Sequence, residues 1–300
     1  MRSIVVVGGS GFIGLHTVRL LAARGYSVCA THSAGQIPPA IPNVTWRGID
    51  LRSSAIAQNW PEQSDAVIYL AQSRRWRQFP EAADDVVAVN LAALQQTASY
   101  ACAAGARILV TASTGSVYTN QSKVAHEDDA IDCVAPRNFY AASKLAAEIL
   151  LGPYSKFLTI VQLRIFMPYG PGMSPDMLFP QLIKRVQTGQ SISLHRPDGM
   201  RINPIAVSDV AEAFVRCLSL DQSNVLNLAG TEEYTLRSVG ETIGKVLGVT
   251  PRFEHLQSGE APVIIGNLDR LCKTLDWKPS IRLEDGLRAW LGASTKSVAA

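Results

Sequence analysis

The first 49 residues contain neither aspartate nor glutamate; the first acidic side chain is Asp50. No apolar run approaches the ~18 residues a membrane-crossing helix needs. The chain opens directly on a strand-like Ser-Ile-Val-Val-Val, without the basic and apolar segments of a secretory leader. Its five cysteines, at 29, 102, 133, 217 and 272, are far apart and form no Cys-x-x-Cys pair. A disulfide framework and a zinc ribbon are therefore excluded, and the thiols read as reduced residues of a cytoplasmic protein. The five histidines are equally scattered, with no His-Glu-x-x-His, so no metal site is expected. Charge is nearly balanced, 28 basic against 25 acidic residues, and the basic ones are dispersed. That excludes a nucleic-acid reader and leaves room for a local site for an anionic small molecule.

Short β-branched apolar runs alternate with helix-length amphipathic stretches. Strands are expected at "SIVVV", "YSVCA", "DAVIYLA", "ARILVTA" and "FLTIVQLRIF", with helices at about 13–24, 85–104 and 137–151. This pattern predicts an α/β fold, a doubly wound parallel sheet of Rossmann type. The rhythm breaks at "PYGPGMSP", where three prolines and two glycines fall within eight residues. Shorter elements follow, with "VLNLAG" as one more strand of the first sheet. The expected organisation is a dinucleotide-binding domain over 1–170 with a return near 206–229. A smaller substrate-binding lobe takes 171–205 and 230–292, and 293–300 is a frayed tail.

The stretch "VVVGGSGFIGLHTVRLL" carries the first chemical signal. Gly8, Gly11 and Gly14 are spaced three apart, and Gly9, Gly11 and Gly14 also fit Gly-x-Gly-x-x-Gly. One glycine makes the turn off the strand, one lets backbone approach a pyrophosphate, and one lets helix and strand pack closely. The helix start, with Phe12 and Ile13, then offers unpaired N–H groups to the phosphates. A carboxylate about 20 residues further on usually holds the ribose of NAD. Here the second strand ends in Thr31, His32 and Ser33, with Arg19, Arg24 and Arg52 nearby and no acid. Such donors suit a 2′-phosphate better than a bare hydroxyl and point to NADP; a loop that is merely polar and accepts either cofactor is the other reading.

"NFYAASKLAAE" places Tyr140 and Lys144 four apart, on one helix face. A tyrosine works as a general acid or base when its pKa falls about three units toward neutrality, ~4 kcal/mol. A neighbouring ammonium supplies part of that fall. Upstream, "ILVTASTGSVY" ends a strand in a cluster of hydroxyls, among them Ser113 and Thr114, placed to meet a substrate oxygen.

Taken with "GGSGFIG", "TASTGSVY", "YAASK", "LRIFMPYGPG" and "DGMRINPIAVSDVAEA", the chain resembles an extended short-chain dehydrogenase/reductase of the nucleotide-sugar epimerase/dehydratase branch, up to about Leu291. That resemblance implies Thr114 as the catalytic hydroxyl, Tyr140 as the proton-transfer residue, and Lys144 as also holding the nicotinamide ribose. It implies Asp50 and Leu51 at the adenine and Ala71, with Gln72, along the cofactor. Ser113 and Tyr118 fall around the sugar, Met167 stands at a further sugar-contact position, and Arg201 meets the substrate diphosphate. It also implies a homodimer through the helices 85–104 and 137–151. The chain departs from the family pattern at Met167, where asparagine is frequent. It departs again after Thr114, where Gly115-Ser116 replace the Asp-Glu of 4,6-dehydratases, which argues against dehydration. The expected activity is that of a 4-epimerase or 4-ketoreductase of a nucleotide sugar. A ketoreductase of a non-sugar carbonyl and a non-catalytic dinucleotide sensor stand as the alternatives.

Overall fold

The computed structural model describes residues 2–33, 35–53, 55–58, 60–119, 122–134, 138–195, 197–256 and 261–297, the last five by backbone only. The chain divides into two compact units. The first comprises 1–119, 130–164 and 210–226; the second comprises 120–129, 165–209 and 227–300.

The first unit is built on β1 (Ser3–Val7), β2 (Ser27–Ser33), β3 (Val44–Ile49), β4 (Ala66–Tyr69), β5 (Ile108–Thr114) and β6 (Thr159–Ile165). With β11 (Asn224–Leu228) they form one seven-stranded sheet in the order β11-β6-β5-β4-β1-β2-β3. The pairs β1/β2, β1/β4, β2/β3 and β4/β5 run parallel. The order reverses between β1 and β4, the switch point outside whose carboxyl ends ligands of such sheets bind. Central strands are continuous apolar runs because both faces are covered: Ile4, Val5, Val6 and Val7 are all buried. β3, at the edge, alternates exposed and half-buried residues instead.

Three helical segments bring side chains to the carboxyl ends of these strands. α1 (Phe12–Ala23) follows β1 directly. α2 (Ala83–Val87) and α3 (Ala93–Ala103) are joined by a π-helical turn, Ala88–Ala92, that buries Asn90. α4 (Phe139–Leu151) starts at Asn138, whose side chain accepts a hydrogen bond from the Ala141 N–H at 2.8 Å, a standard N-cap.

The second unit packs α5 (Leu178–Gln187), α7 (Leu236–Leu247) and α9 (Leu283–Ser297) with several short strands. These are β7 (Pro168–Tyr169), β8 (Ser191–Leu194), β9 (Arg201–Ile202), β10 (Ile205–Ala206), β12 (Tyr234–Thr235), β13 (Arg252–His255) and β14 (Val263–Ile264). Its core includes Tyr169, Phe179, Leu194, Ile202, Val239, Ile243 and Leu287. β9 and β10 are separated at Asn203-Pro204, where proline offers no N–H to a ladder and the Asn203 side-chain amide pairs with the backbone of Gly266. α9 runs through Ser297, into the segment expected as a tail, and 298–300 lie outside the described residues. α6 (Val207–Cys217) spans the division, and α8 is Asp269–Leu275. Buried Asp209, in the first turn of α6, accepts hydrogen bonds from the N–H groups of Ser280 and Ile281 at 2.9 Å each. No helix among the described residues is long and apolar enough to cross a membrane.

Candidate active site

The glycine loop fills the switch point. Gly8 has φ +83, and a Cβ there would stand 2.6 Å from the backbone nitrogen of Ala71. A Cβ on Gly14 would stand 2.1 Å from the Gly8 carbonyl oxygen. Both positions are thus closed to any side chain. Gly11 is different: it is exposed, and a Cβ there would meet only the Gly8 carbonyl, at 3.2 Å. Gly11 is also the N-cap of α1, with no side-chain cap and no acidic residue in the first turn. The donors of Phe12, Ile13 and Gly14 are therefore left to an incoming anion in the positive field of the helix end. These residues fit the pyrophosphate of NAD(P).

At the end of β2 the three hydroxyl and imidazole donors separate. Thr31 is buried, and its Oγ1 accepts from the Gly8 N–H at 2.9 Å, so it braces the glycine loop. His32 lies edge-on to Trp46, and its Nδ1 is 3.0 Å from the Ser33 carbonyl. Ser33 is exposed. Of the nearby arginines, Arg24 pairs with Glu212 at 2.5 Å. Arg52 clamps Asp50 through two bonds of 2.8 and 2.7 Å, and its guanidinium holds the Asp50 carboxyl down to about 2. Arg19 is exposed. Leu51 is half-buried against the core, and Ala71 is buried at the foot of the glycine loop.

The catalytic candidates converge where β5 meets α4. The Tyr140 hydroxyl is hydrogen-bonded by the side chains of Thr114 and Gln72. Gln72 follows β4, so three separate elements meet at one phenol. Burial pushes the Tyr140 pKa up, and these two hydrogen bonds only partly oppose it. Lys144 is buried, and its Nζ donates to the Ala112 carbonyl at 3.0 Å. Its pKa is pushed down to about 8 by burial, with Glu148 opposing. The expectation that Lys144 draws Tyr140 toward neutrality is thus corrected for the protein alone: desolvation dominates at the phenol, and the ammonium is directed to β5.

Two further candidates have partners that the sequence concealed. The Ser113 hydroxyl donates to the Glu148 carboxylate. The Tyr118 hydroxyl accepts from Arg164 Nη1 at 2.8 Å. Glu148 and Arg164 form an ion pair of 2.6 Å, each side chain 7% exposed. Trp76 was not anticipated either; its indole lies against the Tyr140 ring, and Arg77 covers the indole 4.5 Å from its centroid. Asn90 was also missed: it accepts from the Ser73 N–H and donates to Ser143, beside Lys144. Its position in a π turn has no pattern that strand or helix periodicity would reveal.

In the second unit, Met167 follows Phe166 with φ +41, a left-handed conformation rare for methionine and readily adopted by asparagine. Arg201 is exposed and pairs with Glu233 at 2.5 Å. Glu232, the preceding residue, pairs with Arg282 and accepts from the Tyr234 hydroxyl. No group of three or more His, Cys, Asp or Glu suited to a metal ion occurs among the described residues.

The family model described as "NAD dependent epimerase/dehydratase family" matches residues 4–229. A UDP-glucuronate 4-epimerase of Thermodesulfobacterium geofontis is 30% identical over 200 residues, 65% of this chain and 61% of that protein. A GDP-6-deoxy-D-mannose reductase of Pseudomonas aeruginosa is 28% identical over 97% of this chain and 96% of its own length. Among solved structures, MoeE5 in complex with UDP-glucuronic acid and NAD superposes with a TM-score of 0.83 at 26% identity, covering 98% of this chain and 99% of that one. With the glycine loop, the Tyr140–Lys144 helix and the seven-stranded sheet, these matches establish that the chain belongs to the NAD-dependent epimerase/dehydratase family and is an enzyme of the extended short-chain dehydrogenase/reductase type.

Proposed function

We propose that this enzyme acts at a ring carbon, C4 foremost, of a nucleotide-linked sugar, as a 4-epimerase or a 4-ketoreductase. The observation that carries the reading is the Tyr140 hydroxyl held by Thr114 and Gln72, with buried Lys144 on the next turn of α4. Thr114 orients the sugar hydroxyl or carbonyl, and Tyr140 passes a proton to or from that oxygen. The dinucleotide supplies the hydride acceptor and donor. Phe12, Ile13 and Gly14 hold its pyrophosphate, and Lys144 holds its nicotinamide ribose.

The similarity to a UDP-glucuronate 4-epimerase supports epimerisation, and the similarity to a GDP-6-deoxy-D-mannose reductase supports ketoreduction. Arg201 is the proposed partner of the substrate diphosphate; binding then exchanges Glu233 for phosphate oxygens, which match the guanidinium fork. The absence of a carboxylate at the end of β2 supports acceptance of NADP as well as NAD. All five thiols are free, which supports a reducing, cytoplasmic setting. Exposed Val87 on α2 and Ile149 on α4 support a homodimer through the α2–α3 and α4 faces.

The test is calorimetry with UDP, dTDP, GDP and CDP on cofactor-saturated protein. Binding of at least one is expected. Binding of none would reduce the reading to an NAD(P)-dependent oxidoreductase of another carbonyl compound.

A further inference from the structure

We propose that Glu148 is a positioning residue for the catalytic side chains: its buried carboxylate locks the carboxyl end of β5 and β6 onto α4 one turn beyond Lys144. The inference rests on the assignment of Tyr140 and Lys144 as the working pair.

The geometry is a ladder. Three consecutive residues of β5 engage three residues spaced four apart on one face of α4. The Ala112 carbonyl takes Lys144 Nζ. The Ser113 hydroxyl donates to Glu148 Oε1. The Thr114 side chain meets Tyr140. Positions 140, 144 and 148 share a helix face, so a slip of strand against helix breaks all three rungs together. The Ser113–Glu148 rung is the one without a part in the proton transfer, and it is the most heavily braced. Arg164 on β6 donates Nε to Glu148 Oε1 at 3.0 Å and Nη2 to Oε2 at 2.6 Å. The same guanidinium donates to Tyr118 and lies 4.9 Å over its ring. Ser113, Tyr118, Glu148 and Arg164 are all buried, so water does not compete for these bonds.

The charge argument follows from the same contacts. The groups that act on Lys144 are Glu148, one turn further along α4, and the Ala112 carbonyl on β5; Arg164 and Tyr118 reach it through the Glu148 carboxylate. Burial disfavours the ammonium and Glu148 opposes that. Glu148→Gln removes the attraction and leaves the Arg164 cation without its counter-charge. Both changes favour the neutral amine, so the pH at which Lys144 loses its proton moves down from about 8.

The experiment compares the wild type with Glu148→Gln, Glu148→Asp and Ser113→Ala. It reads kcat and KM on a nucleotide sugar, and NADH affinity against pH. The NADH arm needs no sugar, so it tests the proposal even if every nucleotide sugar is refused. In Glu148→Gln the alkaline fall in NADH affinity is expected about one pH unit lower or more, with kcat at pH 7 down ~10-fold or more. Glu148→Asp keeps the charge and keeps the alkaline limb in place while lowering kcat. Ser113→Ala lowers kcat with KM and the limb unchanged. A folded Glu148→Gln protein with wild-type limb and kcat overturns the proposal. If Glu148→Gln does not fold, Ser113→Ala decides: a raised KM with unchanged kcat makes Ser113 a substrate contact and overturns the ladder.

Discussion

The indole of Trp76 lies against the ring of Tyr140, with centroids 4.8 Å apart and planes tilted by 47°. The indole covers part of the phenol, and burial is the first cause of its raised pKa. Trp76→Ala should therefore lower the pKa of Tyr140, since water regains access to the phenolate. The ultraviolet pH titration of the variant, against a Tyr140→Phe/Trp76→Ala control, checks the direction. An unchanged or higher value would show that Trp76 does not desolvate the site.

Roles at the phenol separate by kinetics. Tyr140→Phe keeps the ring and its contact with Trp76 and removes only the proton. Turnover should fall at least ~10²-fold, the usual general-acid contribution, while cofactor affinity changes little. Lys144→Ala should damage both, since its ammonium is buried and shared between strand and site. Steady-state kinetics and dinucleotide titration distinguish the two patterns.

Arg201→Met should weaken nucleoside diphosphate binding by at least ~10-fold, the loss of one charge-assisted hydrogen bond. Cofactor affinity should not move. Glu233→Gln should act in the opposite direction, because it removes the carboxylate that pairs with Arg201 at 2.5 Å. Calorimetry on the three proteins reads both signs.

Met167→Asn should stabilise the fold modestly, by roughly 0.5–1 kcal/mol, since asparagine tolerates a left-handed backbone that strains other side chains. Met167→Ala keeps the strain, loses packing and should destabilise. Urea midpoints at constant slope measure both. A destabilised Met167→Asn would mean that the half-buried methionine side chain matters more than its φ of +41.

NADPH should bind at least as tightly as NADH, because no carboxylate stands at the end of β2 to repel the 2′-phosphate. Fluorescence titration of both tests this. A clear NADH preference would assign the ribose hydroxyls to another group and leave Thr31 as the brace of the glycine loop that its bond to Gly8 makes it.

Much of this architecture was legible from residue pattern. Buried parallel strands are continuous apolar runs, so β1, β4, β5 and β6 stand out, and the spacing of Gly8, Gly11 and Gly14 marks the loop after β1. β3 did not stand out, because an edge strand carrying Arg47 and Gly48 has no apolar run. The hydroxyls of Ser113 and Tyr118 were visible as donors at a strand end. Their partners were not, since Glu148 and Arg164 meet them only through the pairing of α4 with β5 and β6. Nothing in the local sequence of "SRRWRQF" indicated that its tryptophan would reach Tyr140; that contact is made by the path of a loop.

The most direct test is proton NMR at sugar C4, with parallel 340 nm absorbance, for UDP-, dTDP-, GDP- and CDP-sugars incubated with wild type and Tyr140→Phe in the presence of NAD(H) or NADP(H). The expected result is that at least one nucleotide sugar is inverted or reduced at C4 by the wild type and that Tyr140→Phe loses this at least ~10²-fold. Change at no sugar carbon, or a Tyr140→Phe enzyme as fast as the wild type, would contradict the assignment of Tyr140 and of the nucleotide-sugar substrate.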